Sequence, residues 1–186
     1  LPAGDPRRAD HPGRFALVEL VNIYDPGLPF HPIHRVLFGV DEVRFFEGLA
    51  AWQSHEKMAL RDPEKALALC DDADPEGSHR IAWLSAKGAG IMQFPQPRHN
   101  LAAGTIQEFL DAFLAKNPGV GIDYIHGTES LIALAKKPDN LGLYLPPIDK
   151  GSFFATVIRD GVMPRKTFSM GEAPEKRFYV EARKIV

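Results

Sequence analysis

The chain has 186 residues, a length that fits one domain or one lobe of a larger one, and its 22 Lys+Arg against 24 Asp+Glu give a net charge of −2. That balance excludes a broad basic field of the kind that holds nucleic acid or an anionic membrane surface, and no apolar run is long enough to span a bilayer. The single cysteine, Cys70, excludes an intrachain disulfide and a cysteine metal cage. In its Ala-Leu-Ala-Leu-Cys run it reads as a packed core thiol, which fits a reducing cytoplasm.

Residues 1–13 are rich in proline, glycine and charge and read as an extended lead-in. Residues 14–186 read as one α/β domain. The start at Leu1, without an initiator Met or a signal peptide, suggests the C-terminal lobe of a longer protein. Phe15–Tyr24 is nearly all apolar and predicts a central strand. Pro29 and Pro32 keep the next stretch extended, and Arg35–Phe38 predicts a second strand.

Asp41 predicts a helix cap, with Val40 and Phe45 placed as a hydrophobic staple and the helix running to about Lys57. A second helix follows Asp62, with Pro63 in its first turn. The acidic run from Asp71 to Gly77 reads as a solvated loop, because it lacks the ligand alternation of a calcium loop. Arg80–Ala86 and Ala89–Phe94 flank Lys87-Gly88 and predict a β-hairpin. Thr105-Ile106-Gln107-Glu108 reads as a capping box, followed by a helix that stops at Asn117-Pro118-Gly119.

The last third alternates. Ile122–His126 predicts a strand, Thr128 a helix cap, Leu141–Leu145 a strand, and Ile148-Asp149 a helix closed by Gly161. Strand, helix, strand predicts a βαβ crossover with parallel strands. Pro174 with Phe178, Ala182 and Ile185 predicts a helix over 174–184. The fold class is therefore mixed α/β, a mixed sheet with a hairpin in the middle and a βαβ unit in the last third.

Three polar clusters are candidates for a site. Arg165 and Lys166, with Thr167 and Ser169 as supporting donors, have the chemistry to hold an anion; a solvated connector is the other reading. His126, Gly127 and Thr128 stand where a strand end meets a helix N-terminus, which favours an anion, and His126 has the chemistry of an acid, a base or a ligand there. A backbone-bonded strand-end histidine is the alternative. His31 and His34 are three apart in an extended segment, so a two-histidine metal site is disfavoured, and His34 or Arg35, not both, should face a pocket. His11, His55, His79 and His99 have no motif context and read as surface residues. No metal site is predicted, and no cofactor can be named.

The segments Phe15–Asn22, His31–Arg35, Gly104–Leu110, Ile122–Gly127 and Met163–Phe168 resemble, in that order, domain-of-unknown-function family 1015. That resemblance implies a further Asp-Gly-x-His motif upstream, similar to one in ParB- and sulfiredoxin-like phosphate- and nucleotide-handling domains; this sequence does not contain it. It also makes a phosphorylated amino acid a candidate ligand. The function expected is a soluble cytoplasmic enzyme acting on a small phosphorylated metabolite by phosphoryl transfer or phosphate-ester hydrolysis. Arg165, Lys166 and the Gly127–Thr128 helix start would bind phosphate, and His34 or His126 would move a proton. A non-catalytic module for a nucleotide, an anion or a protein is the alternative. Nucleic acid and membrane are not expected partners.

Overall fold

The computed structural model of the chain describes residues 2–9, 11, 13, 20–72 and 77–171. Its longest described strand is β1 (Phe30–Phe38), whose run Ile33 to Leu37 is buried. A strand covered on both faces needs no polar side, which explains the near-continuous apolar sequence around His34 and Arg35. It starts five residues earlier than Arg35. Phe30, His31 and Pro32 pair with Met170, Ser169 and Phe168 of a short strand, β7 (Phe168–Met170). That partner is more than 130 residues away, so local periodicity could not reveal it.

Two helices begin where the caps predict. Asp41 accepts from the N–H groups of Val43 and Arg44 and opens α1 (Glu42–Trp52), with Val40 and Phe45 both in the core. Asp62 accepts from Glu64 N–H and opens α2 (Pro63–Asp71). Three boundaries differ from expectation. α1 ends at Trp52, and Glu56–Leu60 forms the exposed strand β2 instead of a last helical turn. α3 (Ala102–Lys116) starts one turn before Thr105, so the capping box is helix interior; Leu101 is the cap and supplies no side-chain acceptor. α4 (Thr128–Ala135) is capped by Gly127 at φ +88°, and Thr128 is its first residue. The last described helix, α5 (Phe153–Asp160), follows a short 3-10 turn over Lys150–Ser152 and is closed by Gly161 at φ +78°.

β3 (His79–Ser85) and β4 (Gly88–Phe94) form the predicted hairpin around Ala86 and Lys87. β5 (Gly121–His126) and β6 (Asn140–Tyr144) complete a sheet of order β2-β4-β3-β6-β1-β5. β5 and β6 each pair antiparallel with β1. They are therefore parallel to each other, as a β-α-β crossover requires, but β1 lies between them and every pairing among the described residues is antiparallel.

Helices cover both faces. On one, Leu37, Trp83, Met92 and Leu141 pack with Phe45 of α1 and Ile106, Phe109 and Phe113 of α3. On the other, Val36, Leu84, Ile91 and Tyr144 pack with Leu67 of α2 and Leu131 of α4. Two glycines permit close approach, one beside a strand and one beneath a helix. A Cβ on Gly90 of β4 would stand 2.1 Å from the Met58 carbonyl of β2, and one on Gly142 would stand 2.8 Å from Ala135 Cβ of α4. Leu20 to Tyr24 is not strand, and Leu20 is 99% exposed, so this half of the predicted central strand is corrected. Residues 15–19 and the predicted helix over 174–184 lie outside the described residues.

Candidate functional site

At one end of the sheet β1 and β3 begin and β5 and β6 stop, and most of the polar candidates collect there. Strand alternation then sorts them by face. Arg35, opposite Tyr124 in β5, points to the α3 side, and His34, opposite Ile125, points to the α2–α4 side. His126 is opposite Ile33 and so shares a face with Arg35 and Tyr124.

Arg35 is fully buried, as is rare for an unpaired cation. Its Nε donates to Gln107 Oε1 at 3.3 Å, and its terminal nitrogens donate to the carbonyls of Ile33 and Arg165. The guanidinium also lies 5.2 Å from the Tyr124 ring centre. Burial pulls its pKa down to about 10, with Arg165 adding to the fall while Tyr124 and Asp111 oppose it. It stays charged at neutral pH and anchors the segment before β7 to the sheet.

Arg165 sits above this anchor. Its Nε donates to Tyr124 Oη at 2.9 Å and it pairs with Asp111 at 3.2 Å. These two partners raise its pKa. Gln107 Nε2 donates to the same Asp111 oxygen at 2.9 Å, so Arg35, Gln107, Asp111, Arg165 and Tyr124 form one network. Lys166 is exposed and holds φ +56°, a left-handed conformation unfavourable for a side chain with a Cβ. Thr167 is buried and donates its hydroxyl to the Pro164 carbonyl. Ser169 is opposite His31 in the β1–β7 pair.

His126 is exposed, with its ring edge-to-face on His31 at 5.3 Å. Directly after it, Gly127 opens α4 with no side-chain cap, which leaves first-turn N–H groups available at the sheet end. His34 is 2% exposed and stacks on Tyr144 at 4.4 Å. Leu145 N–H donates to its Nδ1 at 3.2 Å, so that nitrogen is unprotonated and already engaged. Burial, then the neighbouring Arg35 and His126, bring its pKa down to about 4. The structure thus places Arg165 on the α3 side of β5 with His126, whereas α4, which Gly127 and Thr128 open, packs on the other face. His34 points to that other face as well.

A cavity of about 230 Å³ opens at the same sheet end, and of the candidates drawn from sequence only Thr167 is among its lining residues. Asp71, His79, Arg80, Asn100, Ala102 and Thr167 are among its walls. His79 Nδ1 lies 2.9 Å from Thr105 Oγ1, and burial brings its pKa down to about 4. His79 is therefore not a surface residue. The signal was its position opening a strand of which four residues are buried. Asp71 is exposed, as expected, but it is the last residue of α2 and not part of a loop; Tyr144 Oη donates to its carboxylate at 2.9 Å, and partial burial raises its pKa. His55 Nδ1 lies 3.1 Å from the Gln53 carbonyl, and His99 lies 3.3 Å from Glu108. Cys70 is a core thiol, as expected, and burial pushes its pKa up to about 12. Among the described residues no group of three or more His, Cys, Asp or Glu is placed to hold a metal ion, and no helix is long and apolar enough to cross a membrane.

The family described as "Protein of unknown function (DUF1015)" matches residues 2–113. No curated protein matches the chain. Among solved structures, a conserved hypothetical protein from Pyrococcus furiosus superposes with TM-score 0.60 at 17% identity, over 82% of this chain and 60% of that one. A mutant free serine kinase in complex with AMP gives TM-score 0.58 at 16% identity, over 81% and 57%. The same enzyme with ADP gives 0.59 at 13%, again over 81% and 57%. At these identities the likeness shows the fold. The chain spans 57–60% of the length of these structures.

Proposed function

We propose that this chain, which belongs to the DUF1015 family, handles a small phosphorylated metabolite by phosphoryl transfer or phosphate-ester hydrolysis, a phosphorylated amino acid being the leading substrate class. The observation that carries the reading is the start of α4. Gly127 leaves its first turn uncapped, beside the exposed His126 and on the strand whose Tyr124 holds Arg165. Main-chain N–H groups at a helix start favour an oxyanion, and Arg165 and Lys166 add charge that a neutral pocket lacks. His126 is the group available to move a proton. The fold shared with a free serine kinase seen with AMP and ADP supports the same direction.

In this reading Arg35 positions the Arg165 segment and does not touch substrate. His34 holds the end of β6; with Nδ1 accepting from Leu145 N–H its proton sits on Nε2, so the ring is not the base in this reading. Thr167 closes the turn beneath Lys166. The non-catalytic alternative, a nucleotide- or anion-binding module, is favoured by one observation: no hydrogen-bond partner among the described residues orients His126, whereas a working base is normally held by a third group.

The test is calorimetric titration of the 186-residue chain with phosphoserine, AMP and ADP, followed by Arg165→Ala and Lys166→Ala, alongside a label-transfer assay from nucleotide to serine. Binding that weakens in both variants supports the site. Equal affinity in all three proteins overturns it. Binding without label transfer or phosphate release selects the non-catalytic module.

A further inference from the structure

At the opposite end of the molecule, where β3 turns into β4, a second cleft of about 370 Å³ lies between the start of α2 and the end of α4. Its floor is Leu84, Ile132 and Ala135, and its rim carries Arg61, Lys87 and Lys136. All three cations are exposed, and among the described residues none of them has an ion pair. No carboxylate of the described residues lines the cleft.

Glu42 and Glu47 line a neighbouring groove that Lys87 also borders, which leaves Arg61 and Lys136 as the cations with no carboxylate beside them in the lining. Asp62 caps α2 by accepting Glu64 N–H at 3.0 Å, and Glu42 accepts from Ser85 Oγ at 3.0 Å. Ser85 follows Leu84, so alternation sends its side chain to the α1 face, away from the cleft. The helix dipoles roughly offset, since the cleft meets the positive start of α2 and the negative end of α4. The side-chain cations therefore set its sign. Solvated lysines are common on any surface. Exposed cations around a concave apolar floor that no carboxylate of the described residues lines are less so, and together they favour an anion there.

We propose that this cleft binds a phosphate monoester with a small apolar body, at a place distinct from the His126–Arg165 site. The dianion would meet Arg61 and Lys136, with Lys87 closing from the hairpin tip. The apolar body would cover Leu84 and Ile132. No atom of this cleft belongs to the first site, so the two stand or fall separately.

The experiment is amide NMR of the full chain titrated with phenyl phosphate, inorganic phosphate and phenol. Phenyl phosphate is expected to shift Ala86, Gly88, Ile132 and Lys136 saturably, and to bind more tightly than either half-molecule. The Arg61→Ala/Lys136→Ala double variant should lose roughly two- to fivefold in affinity per cation while melting at the parent temperature. Ala86→Glu, which brings a carboxylate to the cleft without touching its floor, should weaken binding as well. The proposal is overturned if those amides do not move, if inorganic phosphate binds as tightly as phenyl phosphate, or if both variants bind like the parent.

Discussion

The N–H of Leu145 donates to Nδ1 of His34 at 3.2 Å, tying the first half of β1 to the segment that leaves β6. Both residues are buried, so this bond has no water to replace it. His34→Ala should leave the amide without an acceptor and Tyr144 without its stacking partner. The expected cost is about 2–4 kcal/mol. In a chain of this size that is a fall of roughly 5–15 °C in melting temperature. His34→Phe, which keeps the stacked ring, should recover part of it. A fall equal to that of the alanine variant would show that the hydrogen bond alone matters.

The same residue sets an acid limit. His34 and His79 both have folded pKa values of about 4, well below the ordinary histidine value of 6.5, with burial as the main cause. The unfolded chain then binds more protons than the folded one at every pH between those values. The stability they contribute is fully present above pH 6.5, declines as pH falls toward 4, and is lost below it. Urea titrations at pH 7.5, 6 and 5 should show a falling midpoint. His79→Gln should flatten the slope, and an unchanged slope would mean that His79 titrates normally.

How much of this was legible in the sequence depends on the range of the interaction. Asp41, Asp62, Gly161 and the β3–β4 hairpin were readable because a cap or a turn is made by neighbours in the chain. The β5–α4–β6 crossover was readable as a unit. Its separation by β1 was not, because strand order is decided by packing across more than 80 residues. The same limit governs the site. His126, Gly127 and Thr128 are contiguous and stood out together. That His34 and Arg35 take opposite faces was readable from strand alternation, but the burial of Arg35, the engagement of His34 and the role of His79 depend on α3 and β6, which their own segments do not mention.

Arg35 offers a sharper test of burial. Its fork reaches three acceptors, and no other residue type at that position has donors in those directions. Arg35→Ala should destabilise by about 3–5 kcal/mol, since it opens a cavity and strands two main-chain carbonyls. Arg35→Lys should also destabilise, because a single ammonium cannot reach Gln107 and both carbonyls at once. Chemical denaturation measures both. A lysine variant as stable as the parent would show that charge, not the fork, is what the site requires.

Gly142 links packing to the proposed site. It lies in β6 beneath α4, and a Cβ there would be 2.8 Å from Ala135 Cβ and 3.2 Å from Leu131 Cδ1. Gly142→Ala must therefore push α4 outward, at a cost of about 1–3 kcal/mol. Because Gly127 and the first turn of α4 move with the helix, phosphoserine affinity should fall alongside stability. Ala135→Gly in the same chain removes the clashing methyl group and should restore both. Restored stability without restored binding would separate the helix position from the ligand.

Lys166 distinguishes a strained turn from a working residue. Its φ of +56° costs about 1–2 kcal/mol for a residue with a Cβ, and glycine occupies that region freely. Lys166→Gly relieves the strain but adds flexibility to the unfolded chain, so the net gain should be no more than about 1 kcal/mol. The melting temperature should hold or rise by a few degrees. If Lys166 also supplies charge to a bound phosphate, the same variant should lose roughly two- to fivefold in phosphoserine affinity, more at low ionic strength than at high. A protein that is more stable and binds less well would place stored backbone strain at a ligand-binding residue. Lys166→Asn, which tolerates the left-handed region without the charge, provides the control. If Lys166→Gly and Lys166→Asn both bind phosphoserine as the parent does, Lys166 is a turn residue and the phosphate site rests on Arg165 and α4 alone.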